Sequence, residues 1–304
     1  MKVVVFGCQQ IAVDFINYLS GRKDVELTLA ITYELPLDET YGYDSVLKLC
    51  REREINVINP QFVTEDVVRL VRDAGADIIF SIYYRKILPK SLINYPKHGC
   101  INIHPSALPY YRGPVPTAWA IENGEEKFGI TIHYMDEGID TGDILVQHIY
   151  EIGKDETGYE LYTRAMKLGS QLLIENIDNI FCRAIRPMPQ KGTGSYYGKK
   201  NGKHIIDWRR SVKEIRNMVR VHAKPFNPAE TVLFNRYVLI NKATEHSLDG
   251  FPAQGGGRII SVTENDQLVV SCSDGFLLIE DYEIVPNLTV KERQIYLREG
   301  NRFG

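Results

Sequence analysis

The chain has 304 residues, of which 44% are hydrophobic and 25% charged, a composition typical of a globular protein with room for one large and one small domain. Its formal net charge of −3 gives no global basic field of the kind that favours nucleic acid, and no apolar run approaches the ~20 residues that span a bilayer. Five cysteines are scattered without a Cys-x-x-Cys pair, which indicates a reducing cytoplasmic compartment rather than a disulfide framework.

Short β-branched runs alternate with amphipathic stretches through about the first 180 residues, beginning with a strand rather than a signal peptide. In chain order the pattern predicts strands at 3–6, 25–32, 76–82, 100–103, 130–134 and 144–149, and helices at 11–19, 45–52, 65–74, 116–122 and 158–182. Strands that alternate with helices predict an α/β fold with a doubly wound, mostly parallel sheet. In such sheets ligands bind beyond the carboxyl ends of the strands.

The pattern changes after Arg186, where a stretch rich in Pro and Gly has the composition of a linker. A capping box at Ser211 opens a predicted helix, and short strands without intervening helices follow at 231–234, 237–240, 258–262, 267–271 and 276–280. These strands predict a small barrel or open sheet of OB-like type. We therefore predict a first domain over 1–186, a linker over 187–210 and a smaller C-terminal β-rich domain over 211–304.

Polar side chains that suit acyl chemistry occur in two separate stretches. Asn102 and His104 are two residues apart at the end of a predicted strand, so both point to the same side of the sheet. Asp140 follows in a loop that contains two glycines. An amide and an imidazole can stabilise an oxyanion while a carboxylate orients the imidazole and accepts a proton. Spacing alone leaves a structural role open for all three, and no spacing is typical of a zinc ligand set, although His104, His133 and an aspartate offer donor atoms.

The motif Asn102-Ile-His-Pro-Ser-Ala-Leu-Pro109, together with Gly129-Ile-Thr-Ile-His-Tyr-Met-Asp-Glu-Gly-Ile-Asp-Thr-Gly-Asp143, resembles the folate-dependent formyltransferases. The resemblance extends over nearly the whole chain and implies the family's Rossmann-like fold. It implies that Asn102, His104 and Asp140 are the catalytic residues. It also implies 10-formyltetrahydrofolate as the donor, with no metal.

The resemblance further implies which residues contact the substrates. We expect the folate to contact Ile87, Leu88, Pro89, Ser106, Met135, Gly138, Ile139 and Asp143. We expect the acceptor to contact Tyr83, Tyr84, Arg85, Tyr111 and Arg112, because tyrosine rings can stack on a base or sugar and arginine can bind a pyrophosphate. For Tyr83 and Tyr84, packing at the sheet edge is an equal alternative.

Two acceptors fit the family. The loop 33–44 carries four acids and no Lys or Arg, and it resembles the sugar-nucleotide branch, so we predict that the amine belongs to a nucleotide-linked amino sugar used in lipopolysaccharide or glycan biosynthesis. A methionyl-tRNA formyltransferase is the alternative. It is favoured by residues 199–224, which hold nine basic residues against two acids and so could follow phosphates, although such a run is usually a solvated face.

Other classes of protein remain as alternatives. A non-catalytic protein that binds folate or a nucleotide sugar could share the scaffold, and a folate hydrolase could replace the amine with water. The prediction favours small-molecule substrates, no nucleic acid and no membrane as partners. The resemblance also implies a homodimer formed through the C-terminal part.

Overall fold

The structure is a computed structural model, and it describes residues 1–33, 42–199, 203–248 and 255–304. Residues 34–41 fall outside these ranges, and they include most of the acidic loop on which the prediction of a sugar acceptor depends. Lys200 in the basic stretch also lies outside the described residues. Among the described residues, no helix has both the length and the apolar character needed to cross a membrane.

The first part of the chain alternates strands and helices, as its hydrophobic pattern predicts. Its elements are β1 (Lys2–Gly7), α1 (Gln9–Ser20), β2 (Glu26–Ile31), α2 (Val46–Glu52), β3 (Val57–Ile58), α3 (Glu65–Asp73), β4 (Ile78–Ile82), α4 (Lys90–Ile93), β5 (Cys100–His104), α5 (Pro116–Glu122), β6 (Lys127–Tyr134), β7 (Ile144–Glu151) and α6 (Gly158–Phe181). The sequence missed β3 and α4, because elements of two and four residues are too short to show a hydrophobic period.

The described strands of this part form one sheet in the order β3-β2-β1-β4-β5-β6-β7. The pairs β1–β2, β2–β3, β1–β4 and β4–β5 are parallel, whereas β5 and β6 are antiparallel. Every residue of β4 is buried, as expected for a central parallel strand covered on both faces. The prediction of a doubly wound, mostly parallel sheet is confirmed.

The second part of the chain contains α7 (Val212–His222), β8 (Ala229–Leu233), β9 (Arg236–His246), β10 (Ile259–Val262), β11 (Leu268–Ser271), β12 (Phe276–Val285) and α8 (Val290–Tyr296). Ser211 and Glu214 form the predicted capping box at the start of α7. The described strands form an antiparallel sheet in the order β10-β11-β12-β9-β8. This confirms a smaller β-rich C-terminal domain. The sequence missed α8, because none of its side chains is buried and it lacks an apolar stripe.

The chain divides into two compact units. Unit 1 comprises residues 1–116, 128–150 and 163–198, and unit 2 comprises residues 117–127, 151–162 and 199–304. Unit 2 thus includes two segments that the sequence-based boundaries assigned to the first domain. Of the predicted linker, residues 187–198 belong to unit 1 and residues 199–210 belong to unit 2. A boundary drawn from a change in composition cannot detect segments that pack with a distant part of the chain.

Candidate active site

The carboxyl end of β5 places two polar side chains on one face of the sheet of unit 1. Asn102 is partly buried and His104 is 5% exposed. They lie two residues apart on a strand, so their side chains share a face. The strand ends at His104, immediately before Pro105.

Asp140 lies against both of these residues. Its Oδ1 accepts a hydrogen bond from Asn102 Nδ2 at 3.3 Å, and its Oδ2 lies 3.5 Å from His104 Nδ1. Oδ2 also accepts from the backbone N–H of Gly113 at 2.9 Å. The backbone of Asp140 has a left-handed φ of +54°, a conformation that Asp adopts more readily than most residues. The amide, imidazole and carboxylate that the sequence predicts therefore lie together in the structure.

The contacts of His104 define the hydrogen positions that its ring can adopt. Nε2 lies 2.8 Å from the carbonyl oxygen of Tyr111, which can only accept, so Nε2 carries a hydrogen. Nδ1 faces the carboxylate of Asp140. Both ring nitrogens of His104 thus face oxygen acceptors, one from the backbone and one from a carboxylate.

His133 is a further buried residue of the site, and the sequence analysis considered it only as a metal ligand. It lies opposite Asn102 in the antiparallel register of β5 and β6 and is 1% exposed. Its Nδ1 lies 2.7 Å from the carbonyl oxygen of Tyr134 and therefore carries the hydrogen, so Nε2 accepts from Asn102 Nδ2 at 3.1 Å. Both amide hydrogens of Asn102 are consequently donated, and the opposite amide orientation would set its oxygen against the Asp140 carboxylate.

Burial lowers the pKa of His133 from 6.5 to about 4, because the protonated ring loses its hydration. The folded-state pKa lies below the unfolded value, so the unfolded chain binds a proton first as the pH falls. The free energy of unfolding is therefore expected to fall by about 3 kcal/mol between pH 6.5 and pH 4 from this residue, with no further loss below pH 4. Urea unfolding of the wild type and of His133→Gln across this range measures the difference, and equal pH dependence in the two proteins would contradict it.

The described residues contain no group of three or more His, Cys, Asp or Glu side chains arranged to hold a metal ion. His104, His133 and Asp140 are instead linked to one another and to Asn102 through hydrogen bonds and close polar contacts.

The residues predicted to hold the folate come mainly from two segments that an ion pair joins. Lys90 at the start of α4 pairs with Glu137 in the loop after β6. Ile87 and Ile139 expose 84% and 49% of their surfaces, so each segment presents an apolar side chain to solvent. Apolar side chains of this kind suit a flat heterocycle.

Other predicted folate contacts near α4 and β5 point into the protein. Leu88 is buried in the core, and Pro89 caps the start of α4. Ser106 is buried, and its hydroxyl donates to the carbonyl oxygen of Tyr110 at 2.7 Å. The side chains of Leu88 and Ser106 therefore support the backbone of these loops.

The predicted contacts in the loop after β6 are held by local interactions. The Sδ of Met135 lies 3.4 Å from the Sγ of Cys100. The N–H of Gly138 donates to Asp136 Oδ1 at 3.0 Å. The side chain of Asp143 is exposed, while its carbonyl oxygen accepts from the last residue of β6 at 2.9 Å.

The residues predicted to bind the acceptor differ in exposure. Tyr84 belongs to the hydrophobic core, where its ring packs edge-on against Phe6 and Tyr33 at 5.3 and 5.6 Å, so it offers no free face for stacking. Tyr83 is half-buried with a φ of +52°, and Arg85 is exposed.

Tyr111 and Arg112 contact the segment that follows α6. The ring of Tyr111 stacks on Tyr197 with centroids 5.0 Å apart, and the guanidinium of Arg112 donates twice to Gln190 Oε1. Sequence reasoning did not identify Gln190, because it lies in a stretch with the composition of a linker.

Two family profiles match the chain: that of the formyl transferases at residues 44–177 and that of the formyl transferase C-terminal domain at residues 199–291. Over 290 residues the chain is 35% identical to methionyl-tRNA formyltransferase of Alkaliphilus oremlandii. The alignment covers 93% of this chain and 92% of that protein. Methionyl-tRNA formyltransferase of Ruminiclostridium cellulolyticum is 29% identical over 100% of this chain and 97% of its own.

Solved structures share the fold. An N-formyltransferase from Helicobacter canadensis, in complex with folinic acid and dTDP-3-aminofucose, aligns with a TM-score of 0.74 and 25% identity, covering 93% of this chain and 100% of its own. A 4-N formyltransferase from Francisella tularensis aligns with a TM-score of 0.61 and 26% identity over 75% of this chain and 91% of its own.

Proposed function

The chain belongs to the formyl transferase family, and we propose that it transfers a formyl group from a formyl-folate to the amino group of methionyl-tRNA. The observation that carries the choice of acceptor is the set of near-full-length relatives that are methionyl-tRNA formyltransferases, such as the one 35% identical over 93% of the chain.

The prediction of a nucleotide-linked amino sugar as acceptor is wrong on this comparison. The curated relatives share 29–35% identity with the chain, whereas the two solved structures named above share 25–26%. Few residues supported that prediction. It depended on the loop 33–44, most of which lies outside the described residues, and on tyrosines of which Tyr84 is a core residue.

The distribution of charge supports an RNA acceptor despite the net charge of −3. Residues 199–304 contain 16 Lys and Arg against 13 Asp and Glu, whereas residues 1–198 contain 20 against 26. Several cations of the second part are exposed: Lys199, Lys203, Arg209, Arg210 and Lys213. Phosphate contacts supply most of the affinity of proteins for nucleic acid, so a local excess of cations matters more than the total.

The donor supplies an activated formyl carbonyl, and Ile87 and Ile139 are the exposed apolar side chains in the segments that would hold its pterin. The acceptor amine attacks the formyl carbon, so that a new C–N bond forms and negative charge develops on the formyl oxygen. The bond from the formyl carbon to the folate nitrogen then breaks, and that nitrogen takes up a proton. We assign Asp140 to accept the surplus proton of the amine. We assign His104, which lies between the carboxylate of Asp140 and the carbonyl oxygen of Tyr111, to stabilise the negative oxygen together with Asn102.

Asn102 is assigned to the formyl oxygen as a hydrogen-bond donor. Its Nδ2 donates to His133 at 3.1 Å and to Asp140 at 3.3 Å. The contact with Asp140 is the longer one, and it is the one that a developing oxyanion would replace. His133 would keep the amide oriented during that exchange.

Consumption of 10-formyltetrahydrofolate by the purified protein tests the proposal. The donor is incubated alone, with methionyl-tRNA, with uncharged tRNA and with dTDP-3-aminofucose. We expect turnover with methionyl-tRNA only, because uncharged tRNA provides the phosphates without the amine. Turnover that requires the amino-sugar nucleotide and ignores methionyl-tRNA would refute the proposed acceptor, and turnover with the donor alone would indicate a hydrolase.

A further inference from the structure

The segment after α6, residues 187–198 (the strap), packs within unit 1 along two of its loops. At one end, Met188 and Ile144 exchange backbone hydrogen bonds of 2.8 and 2.9 Å at the start of β7. At the other end, the Oγ of Ser195 accepts from the backbone N–H of Tyr111 at 2.9 Å. The strap has the composition of a linker, but these contacts fix it against the loops that surround His104 and Asp140.

The central contact of the strap is the side chain of Gln190, which is half-buried. Its Nε2 donates to the carbonyl oxygens of Asp140 and Gly142 at 2.8 and 2.9 Å. Its Oε1 accepts from Nε and a terminal nitrogen of Arg112 at 3.1 and 2.6 Å. One amide thus uses both donors and its acceptor oxygen to join the loop after β6 to the loop after β5.

The contact with Asp140 matters because of the backbone conformation there. Asp140 adopts a left-handed φ of +54°, a conformation that costs free energy for residues other than glycine, although less for Asp than for most, so contacts on both sides of the residue help to hold it. The carboxylate of Asp140 is held by a hydrogen bond from the N–H of Gly113 at 2.9 Å. The carbonyl oxygen of Asp140 is held by the Nε2 of Gln190 at 2.8 Å.

We propose that Gln190 is a positioning residue for formyl transfer: it holds the backbone of Asp140 so that the carboxylate stays against Asn102 and His104. The inference depends on the proposed role of Asp140 in catalysis. Gln190 touches none of the reacting groups named above, and it acts through the loop that carries Asp140.

Two variants separate the donors of Gln190 from its acceptor. Gln190→Met keeps the length of the side chain and removes every hydrogen bond. Gln190→Glu keeps acceptors for Arg112 but sets a carboxylate against the two carbonyl oxygens. We expect both variants to lower kcat by about 10- to 100-fold, because small misplacements of catalytic groups are costly, with KM for both substrates changed by less than about threefold.

Gln147→Met is the matched control. Gln147 Nε2 also makes two hydrogen bonds within unit 1, to the carbonyl oxygen of Leu108 and to the Oγ1 of Thr131, both at 2.9 Å. Gln147→Met should lower the free energy of unfolding by an amount comparable to that of Gln190→Met, measured by thermal unfolding. It should leave kcat within about threefold of the wild type. A general effect of losing a glutamine amide that makes two hydrogen bonds would instead lower kcat equally in both proteins.

Hydrogen exchange at the backbone N–H of Gly113 reports on the position of the Asp140 carboxylate without any substrate. We expect exchange to be at least about tenfold faster in Gln190→Met and Gln190→Glu, and unchanged in Gln147→Met. Wild-type exchange and wild-type kcat in a folded Gln190→Glu protein would overturn the proposal. If the wild type formylates no acceptor, the proposed function fails, while exchange at Gly113 still decides whether Gln190 positions Asp140.

Discussion

Asp140→Asn is expected to lower kcat for formyl transfer by about 10³-fold or more, with the protein still folded. One oxygen of the carboxylate accepts from Asn102 and the other from the N–H of Gly113. An asparagine side chain has one acceptor oxygen and one donor nitrogen, so either orientation sets a donor against one of these N–H groups. The amide also cannot accept the proton that the attacking amine must release.

Steady-state kinetics with donor and acceptor at saturation measures this effect, and thermal unfolding checks the fold. One mismatched polar group should cost about 1–3 kcal/mol of stability. Asp73→Asn, an exposed position at the end of α3, is the control and should keep wild-type turnover. If Asp140 acts with His104 as a unit, the double variant Asp140→Asn/His104→Ala should be little slower than the slower single variant. A folded Asp140→Asn protein within tenfold of wild-type kcat would remove the carboxylate from the mechanism.

The part of the site that lies on one strand could be predicted from the sequence. Side chains two apart on a strand share a face, so Asn102 and His104 were expected to lie together, and a proline marks where the strand ends. The position of Asp140 beside them could not be derived from spacing, because 36 residues separate it from His104 along the chain. Only the resemblance to a family indicated that it belongs to the same site.

The contacts of His133 and Gln190 could not be predicted from the sequence. His133 lies beside Asn102 only because β6 runs antiparallel to β5 in one particular register, and a shift by one residue would turn it to the opposite face. Gln190 contacts a loop 50 residues earlier in the chain from a stretch that has the composition of a linker. Neither register nor long-range contact leaves a local pattern in the residues themselves.

The two tyrosines after β4 show that sequence can also predict a ligand contact that the packing does not allow. Tyr83 and Tyr84 are adjacent and chemically identical, and both were expected to contact the acceptor. The structure buries Tyr84 against Phe6 and leaves Tyr83 half-exposed. The left-handed φ of +52° at Tyr83 turns the chain as it leaves β4, and the hydrophobic pattern does not predict this turn. Composition suggests that a tyrosine can stack on a ligand, whereas only the packing decides whether its ring has a free face.

Gly142→Ala is expected to destabilise the protein by about 3 kcal/mol and to lower turnover by about 100-fold. A Cβ at Gly142 would lie 1.9 Å from the carbonyl oxygen of Tyr134 and 2.8 Å from its carbonyl carbon, where ordinary contact begins at 3.4 Å. Both atoms belong to the backbone of β6, so they cannot move aside as a flexible side chain would. The loop would have to withdraw, and its carbonyl oxygen at position 142, which accepts from Gln190, would move with it.

Gly21→Ala separates this clash from the general effect of adding a methyl group to a glycine. Gly21 caps α1 with a φ of −85°, and a Cβ there would meet its nearest neighbour, the carbonyl oxygen of Tyr18, at 3.6 Å. Alanine fits that conformation and restricts the unfolded chain, so Gly21→Ala should be neutral or slightly stabilising, with unchanged turnover. Chemical unfolding and steady-state kinetics of the two variants provide the comparison. Equal stability in both would mean that the loop after β6 tolerates displacement, and the catalytic geometry could then not depend on holding Asp140 in place.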